Sequence, residues 1–280
     1  MKGIIFSSSG EPLTNPEIID FIAYTKEIGI DVALVTNGTA LQRPGLIETL
    51  ARDVKWIRIS LDAGTPETRA KIHGVFPEDF EKVLESLKML ATEKARKESS
   101  CHIGAQIVIT EENWWEVYLA ARRVKETRID YFQIKPVVFH PKDNKVQLSC
   151  KFWETALGLI DATKREFEDE DFDVFVKYDQ FEAIMAPDYE KSAYEKCRAD
   201  FFPIVEATGK VYHCSQTRGL PEFELGDLSQ MSFKEIWNGE KRKKIIENID
   251  VSKCQPVCRC HWLNKMLKTV ALGKNAPNFV

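Results

Sequence analysis

With 280 residues the chain can build a large core in one or two domains, and 44% hydrophobic against 29% charged residues excludes a disordered polymer. A net charge of -4 leaves no basic footprint for nucleic acid, and no apolar run approaches the roughly 20 residues of a membrane span, so neither partner is expected. Lys2 and the short apolar patch Ile4 to Phe6 are too little for a secretory signal, which predicts a cytoplasmic protein.

Ile4, Ile5 and Phe6 read as a strand that leaves through Ser7 to Ser9 into the turn Gly10-Glu11-Pro12. Asn15-Pro16-Glu17 then supplies an N-cap, a first-turn proline and an early acid for a helix carrying Ile18, Ile19, Phe21, Ile22 and Ile28. Asp31 to Thr36 is the next strand, Leu46 to Ala51 a helix, and Trp56 to Leu61 a third strand. Thr65-Pro66-Glu67 opens a short helix. Pro77-Glu78-Asp79 opens a longer one whose Phe80, Val83, Leu84, Leu87 and Leu90 keep the 3.6-residue period. Ile103 to Ile109 is a fourth strand, Asn113 with Glu116 reads as a capping box, and Tyr131 to Ile134 is the fifth strand. Strands separated in turn by helical stretches predict parallel βα units, which a doubly wound sheet and a barrel both satisfy.

Residues 141–190 read as a bridging helical region, with Val174 to Tyr178 as a further candidate strand. The style then changes over residues 191–280. Pro203 to Cys214 alternates around Gly209 as a hairpin, and Ser232 with Glu235 is a capping box.

Ligands of a parallel α/β sheet sit beyond the carboxyl ends of its strands, and here those exits are polar. They read Ser7 to Pro12, Thr36-Asn37-Gly38, Ser60 to Gly64 and Gln133 to Pro136. Each is an ordinary turn signal by itself, and together they form one polar rim. The cysteines carry a stronger signal. Cys101 and Cys150 stand alone and read as buried small apolar residues, whereas Cys197, Cys214, Cys254, Cys258 and Cys260 fall in the last third. In a reducing compartment such a cluster points to metal, with zinc and an iron-sulfur cluster both compatible with the spacing.

The ordered set GEP at Gly10 to Pro12, VTNGT at Val35 to Thr39, RISLDAGTPETRAKIHG at Arg58 to Gly74 and QIKP at Gln133 to Pro136 resembles the radical SAM enzymes. The segment CRADFFPIVEATGKVYHC resembles their SPASM or Twitch extension. The resemblance implies an α/β fold: a partial (β/α)6 barrel over residues 1–140, and a small α+β iron-sulfur domain over 191–280. It implies S-adenosylmethionine across the strand ends, touched by Gly10, Glu11, Pro12, Thr36, Asn37, Ser60 and Asp62, with an arginine or other residue of Arg69 to Gly74 near its carboxylate. It further implies one auxiliary [4Fe-4S] cluster on four of Cys197, Cys214, Cys254, Cys258 and Cys260, with His213 and His261 beside the ligands as packing residues.

The family's chemistry is hydrogen abstraction from a peptide or small molecule by a radical made from the cofactor. It uses an electron donor such as a flavodoxin or ferredoxin. The C-x3-C-x2-C triplet that holds the family's radical-generating cluster does not occur in residues 1–280. The expectation is therefore a barrel lacking its first βα unit, with the strands counted here as strands two to six. The alternative expectation is a non-catalytic zinc- or iron-sulfur-binding protein on a barrel remnant.

Overall fold

A computed structural model describes residues 2–7, 10–138, 148–186, 195–197, 202–254, 258, 260–261, 264 and 266–268. It divides into two compact units, the first made of residues 1–137 and 148–181 and the second of the remainder.

The first unit is one parallel sheet in sequential order. Its strands are β1 (Gly3–Phe6), β2 (Asp31–Thr36), β3 (Val54–Ser60), β4 (His102–Ile109), β5 (Tyr131–Pro136) and β6 (Asp173–Val176). The crossovers are α1 (Ile18–Glu27), α2 (Leu46–Asp53), α3 (Pro66–His73) with α4 (Glu78–Arg96), α5 (Val117–Lys125) and α6 (Cys150–Phe167). Successive strand residues point to opposite faces. One face is aliphatic and fully buried, with Leu34, Ile57, Ile59, Ile103, Ile107, Phe132 and Val174. It is matched by the apolar stripes of the helices: Ile18 and Ile22, Leu46 and Leu50, Phe80 to Leu90, Val117 to Val124, and Trp153 with Ile160. The other face alternates with it and is treated below.

Four expectations are revised here. The sheet has a sixth strand, because α6 returns the chain so that Asp173–Val176 pairs in parallel with β5. Residues 148–181 therefore belong to the sheet unit, not to a bridge; residues 141–147 and 187–190 of that bridge lie outside the described residues. Cys101 is buried, but Cys150 is exposed on the first turn of α6. Finally, Asn113 and Glu116 do not cap their own helix. The Asn113 amide donates to the carbonyls of Asp62 (2.8 Å) and Val108 (2.9 Å). Glu116 reaches the start of α3, accepting from Gly64 N (2.7 Å), Thr65 N (3.1 Å), Thr65 Oγ1 (2.8 Å) and Thr68 Oγ1 (2.6 Å).

The second unit holds an antiparallel sheet of β7 (Ile204–Val205), β8 (Lys210–Tyr212) and β9 (Glu224–Asp227). The β7–β8 turn is reversed by Gly209 at φ 87°, where a side chain would be strained. Helix α7 (Phe233–Asn238) opens with the reciprocal Ser232–Glu235 capping box and is followed by α8 (Glu240–Glu247). Ile236 packs on Val211 and Leu225 as the small core, flanked by Phe233, Trp237 and Ile245.

Candidate functional site

At the carboxyl edge of the sheet a cleft of about 350 Å³ is lined by Ser7, Gly10, Glu11, Val35, Thr36, Asn37, Ser60 and His73. Its volume is within the range of small-molecule sites. Glu11 organises it. One carboxylate oxygen accepts from Thr36 Oγ1 (2.5 Å) and Leu13 N (2.9 Å), and the other accepts from Asn37 N (2.6 Å). The turn after β1 is thereby fastened to the exit of β2, and Thr36 Oγ1 in turn accepts from Gly38 N (3.0 Å).

Arg69 fixes the third exit. Fully buried, it donates to the carbonyls of Ser60 (3.0 Å), Leu61 (2.8 Å) and Asn37 (2.5 Å), so one guanidinium ties α3 to the ends of both β2 and β3. Burial pushes its pKa down from the ordinary arginine value. Asp62 sits at φ 56°, an unusual conformation for a residue with a side chain. Its Oδ1 accepts from Val108 N (2.7 Å) while Oδ2 lies 3.2 Å from His73 Nε2.

Of the residues expected to contact a cofactor, Gly10, Glu11, Thr36, Asn37 and Ser60 line the cleft together. Pro12 and Asp62 are not in its lining: Pro12 begins a short 3₁₀ turn, and Asp62 braces β4 and His73. Within Arg69 to Gly74, Arg69 is occupied by backbone carbonyls and His73 is the residue that faces the cleft. Ser7 lies in the polar exit Ser7 to Pro12 and His73 in the stretch Arg69 to Gly74, whereas Val35 was not among the expected cofactor contacts. Ser7 follows the last residue of β1 directly, and Val35 alternates with the buried Leu34 and Thr36, so both positions were open to inference.

In the second unit, Cys214 lies two residues beyond β8, and its sulfur accepts from Gln216 N (3.4 Å). The thiols of Cys258 and Cys260 are hydrogen-bonded to each other. That bond, together with burial and the nearby Cys214, pushes the Cys258 thiol pKa up. Cys197 Sγ accepts from the buried Asn264 amide (3.7 Å), Cys254 ends a 3₁₀ turn over Val251–Lys253, and His213 and His261 are buried. None of the seven cysteines is in a disulfide. Among the described residues no three His, Cys, Asp or Glu side chains converge closely enough to hold one metal ion. Residues 198–201, 255–257 and 259 of the cysteine segments lie outside the described residues.

A parallel sheet with a polar cleft at its carboxyl edge, followed in the same chain by a small thiol-bearing antiparallel unit, defines an α/β ligand-binding domain with an accessory cysteine-bearing domain. Residues 1–124 match the radical SAM superfamily and residues 178–261 the SPASM iron-sulfur cluster-binding domain. The chain thus carries a radical SAM domain and a SPASM domain, which imply S-adenosylmethionine and [4Fe-4S] clusters as cofactors.

An AdoMet-dependent heme synthase of Methanosarcina barkeri is 25% identical over 87% of this chain and 71% of the relative. The fold is shared with anSMEcpe, solved with bound AdoMet and the Kp18Cys peptide (TM-score 0.60, 20% identity, 94% of this chain and 74% of that one). It is also shared with Streptococcus suis SuiB bound to its precursor peptide SuiA (TM-score 0.63, 14% identity, 88% of this chain). The chain spans 56% of the length of SuiB.

Proposed function

We propose that the cleft at the ends of β1, β2 and β3 holds S-adenosylmethionine, and that the thiols of the second unit hold one auxiliary [4Fe-4S] cluster. The enzyme would abstract hydrogen from a peptide or small-molecule substrate. The observation that carries this reading is the joining of three strand exits into one cleft by Glu11 and Arg69. Hydroxyls at Ser7, Thr36 and Ser60, an imidazole at His73 and the apolar Val35 give that cleft both polar and apolar surface, which fits a ligand that is part sugar, part base and part amino acid. When bound, the cofactor would supply the hydrogen-abstracting radical, given one electron passed from a flavodoxin- or ferredoxin-type donor through a radical-generating [4Fe-4S] cluster whose C-x3-C-x2-C triplet does not occur in residues 1–280.

The chain's own residues orient that ligand. Glu11 and Pro12 hold the Gly10 turn in place, Asn37 and Ser60 offer polar groups from neighbouring strands, and Asp62 acts through His73. Cys197, Cys214, Cys254, Cys258 and Cys260 are a pure thiol donor set, the chemistry that suits iron-sulfur ligation, and four of the five complete a cluster. A peptide substrate is supported by the peptide complexes of anSMEcpe and SuiB.

Anaerobic purification with iron and sulfide analysis, paired with equilibrium dialysis against S-adenosylmethionine, tests both halves. The expected result is about four iron and four sulfide per chain attributable to the second unit, lost on combined C197S and C214S substitution. S-adenosylmethionine binding should be weakened about tenfold by Thr36→Val, which removes the hydroxyl that fastens Glu11 in the cleft wall. Colourless protein carrying one zinc per chain would sink the cluster assignment.

A further inference from the structure

The helix-free face of the sheet carries a polar row that the fold does not require. Strand alternation and register place Arg58 and Ser60 of β3, Gln106 of β4, and Gln133 and Lys135 of β5 on this one face. Ser60 pairs with Gln106, and Gln106 pairs with Gln133, so the row runs directly from the cofactor cleft, which Ser60 lines. Beside it Trp56, His102, Tyr131 and Phe175 supply aromatic surface. His102 stacks on Tyr131 at 4.9 Å, and Tyr131 meets the edge of Phe175 at 5.6 Å.

Three groups in this row have unused capacity. Arg58 lies over Trp56 at 4.9 Å and donates from NH1 to Gln133 Oε1 (2.9 Å), while its buried Nε has no hydrogen-bond partner. Lys135 is half-buried, and among the described residues neither it nor Arg58 is in an ion pair. Asp62, the carboxylate whose field reaches both cations, is committed to Val108 N and His73. Gln106 is 4% exposed, and its Oε1 accepts no hydrogen bond. Two cations brought together in a partly dehydrated place, without an acid to neutralise them, are unfavourable in the empty protein. Burial lowers the pKa of both, and the field of Arg58 lowers that of Lys135 further.

Resting on the cofactor reading above, we propose that Arg58 and Lys135 recognise an anionic group of the substrate, a carboxylate or a phosphate. Gln106 accepts from a neighbouring donor on the same molecule. An anion here would restore the missing neutralisation, and Arg58 can offer it a planar fork while Lys135 offers a point charge. The row would then fix the anionic end of the substrate, leaving the rest of it to lie along the aromatic surface toward the cofactor cleft.

The test follows acetylation of Lys135 by an activated acetyl ester, read by peptide mass spectrometry on the full chain. Succinate and inorganic phosphate are the probes, with potassium chloride at matched ionic strength as the reference. Either anion should slow acetylation about threefold, as a charge-assisted contact of modest strength requires. Arg58→Gln should abolish the protection and Arg58→Lys should retain part of it. Protection by phosphate alone identifies a phosphate-bearing substrate, and protection by succinate identifies a carboxylate-bearing one.

An unchanged rate with both anions overturns the proposal. So does a tenfold loss of S-adenosylmethionine affinity in the Arg58→Gln variant with Arg58→Lys restoring it, because the pair would then serve the cofactor. If the parent chain binds no S-adenosylmethionine in dialysis, the cofactor reading fails, while the lysine protection still decides for or against the anion site.

Discussion

Lys135 states its own energetic position. Its pKa is lowered first by burial and then by Arg58, from the ordinary 10.5. A lysine with a folded-state pKa below its unfolded value binds fewer protons when folded, so stability rises with pH between the lowered value and 10.5. Below that window the buried charge is a standing cost. The urea midpoint of the parent should therefore climb relative to Lys135→Met as pH is raised from neutrality toward 10.5, and the variant should be at least as stable as the parent near pH 7. Cys101 provides the contrast: burial pushes its thiol up to about 12, consistent with an inert packing residue. Glu116 illustrates how far sequence spacing can mislead. Asn113 and Glu116 have the spacing of a capping box, yet the carboxylate crosses to another helix and gathers four donors there. A local motif is overridden when a distant N-terminus supplies more unsatisfied N–H and hydroxyl groups than the nearby one.

At the scale of elements, the parallel βα series was legible because its signals are local. Alternation in the strands, helical periodicity in Glu78–Arg96 and the proline-initiated start at Thr65 all survive in the structure. The sixth strand was harder to read, since Asp173–Val176 is short and acquires its identity only by pairing with β5. The cleft was partly legible: strand exits could be listed, but not which carboxylates are consumed internally. Asp62 and Arg69 are hydrogen-bonded to protein backbone, a fact visible only once β2, β3 and β4 are side by side.

Packing between β4 and β5 offers a sharper check. A Cβ on Gly104 would sit 2.1 Å from Tyr131 Cζ, so the tyrosine ring occupies the space a side chain would need. Gly104→Ala should destabilise the chain by about 2 kcal/mol through overpacking. Combining it with Tyr131→Leu should cost less than the two single changes summed, as denaturant titrations of the four-member cycle would reveal.

For the molecule as a whole, the two units differ in what holds them together. The first has a continuous aliphatic layer, whereas the second has the small core of Val211, Leu225 and Ile236. With so little apolar burial among its described residues, this unit is expected to depend on the proposed cluster for stability. Removing the cluster by anaerobic chelation should raise hydrogen exchange in residues 204–227 and leave β2 to β5 protected; equal loss of protection in both would refute that division of stability. Among the described residues no helix is long and apolar enough to cross a membrane.

The Arg69 clamp also sets a rule of chain length. A single guanidinium reaches Asn37, Ser60 and Leu61 from the first turns of α3, so the path from Leu61 to Arg69 has a fixed number of residues to spend. Lengthening it by one would swing the guanidinium off its carbonyls by a third of a helical turn or displace the Thr65 cap. Insertions that diversify such a chain must therefore fall elsewhere, for instance after α4 at the exposed Glu98, which takes no part in the Arg69 clamp.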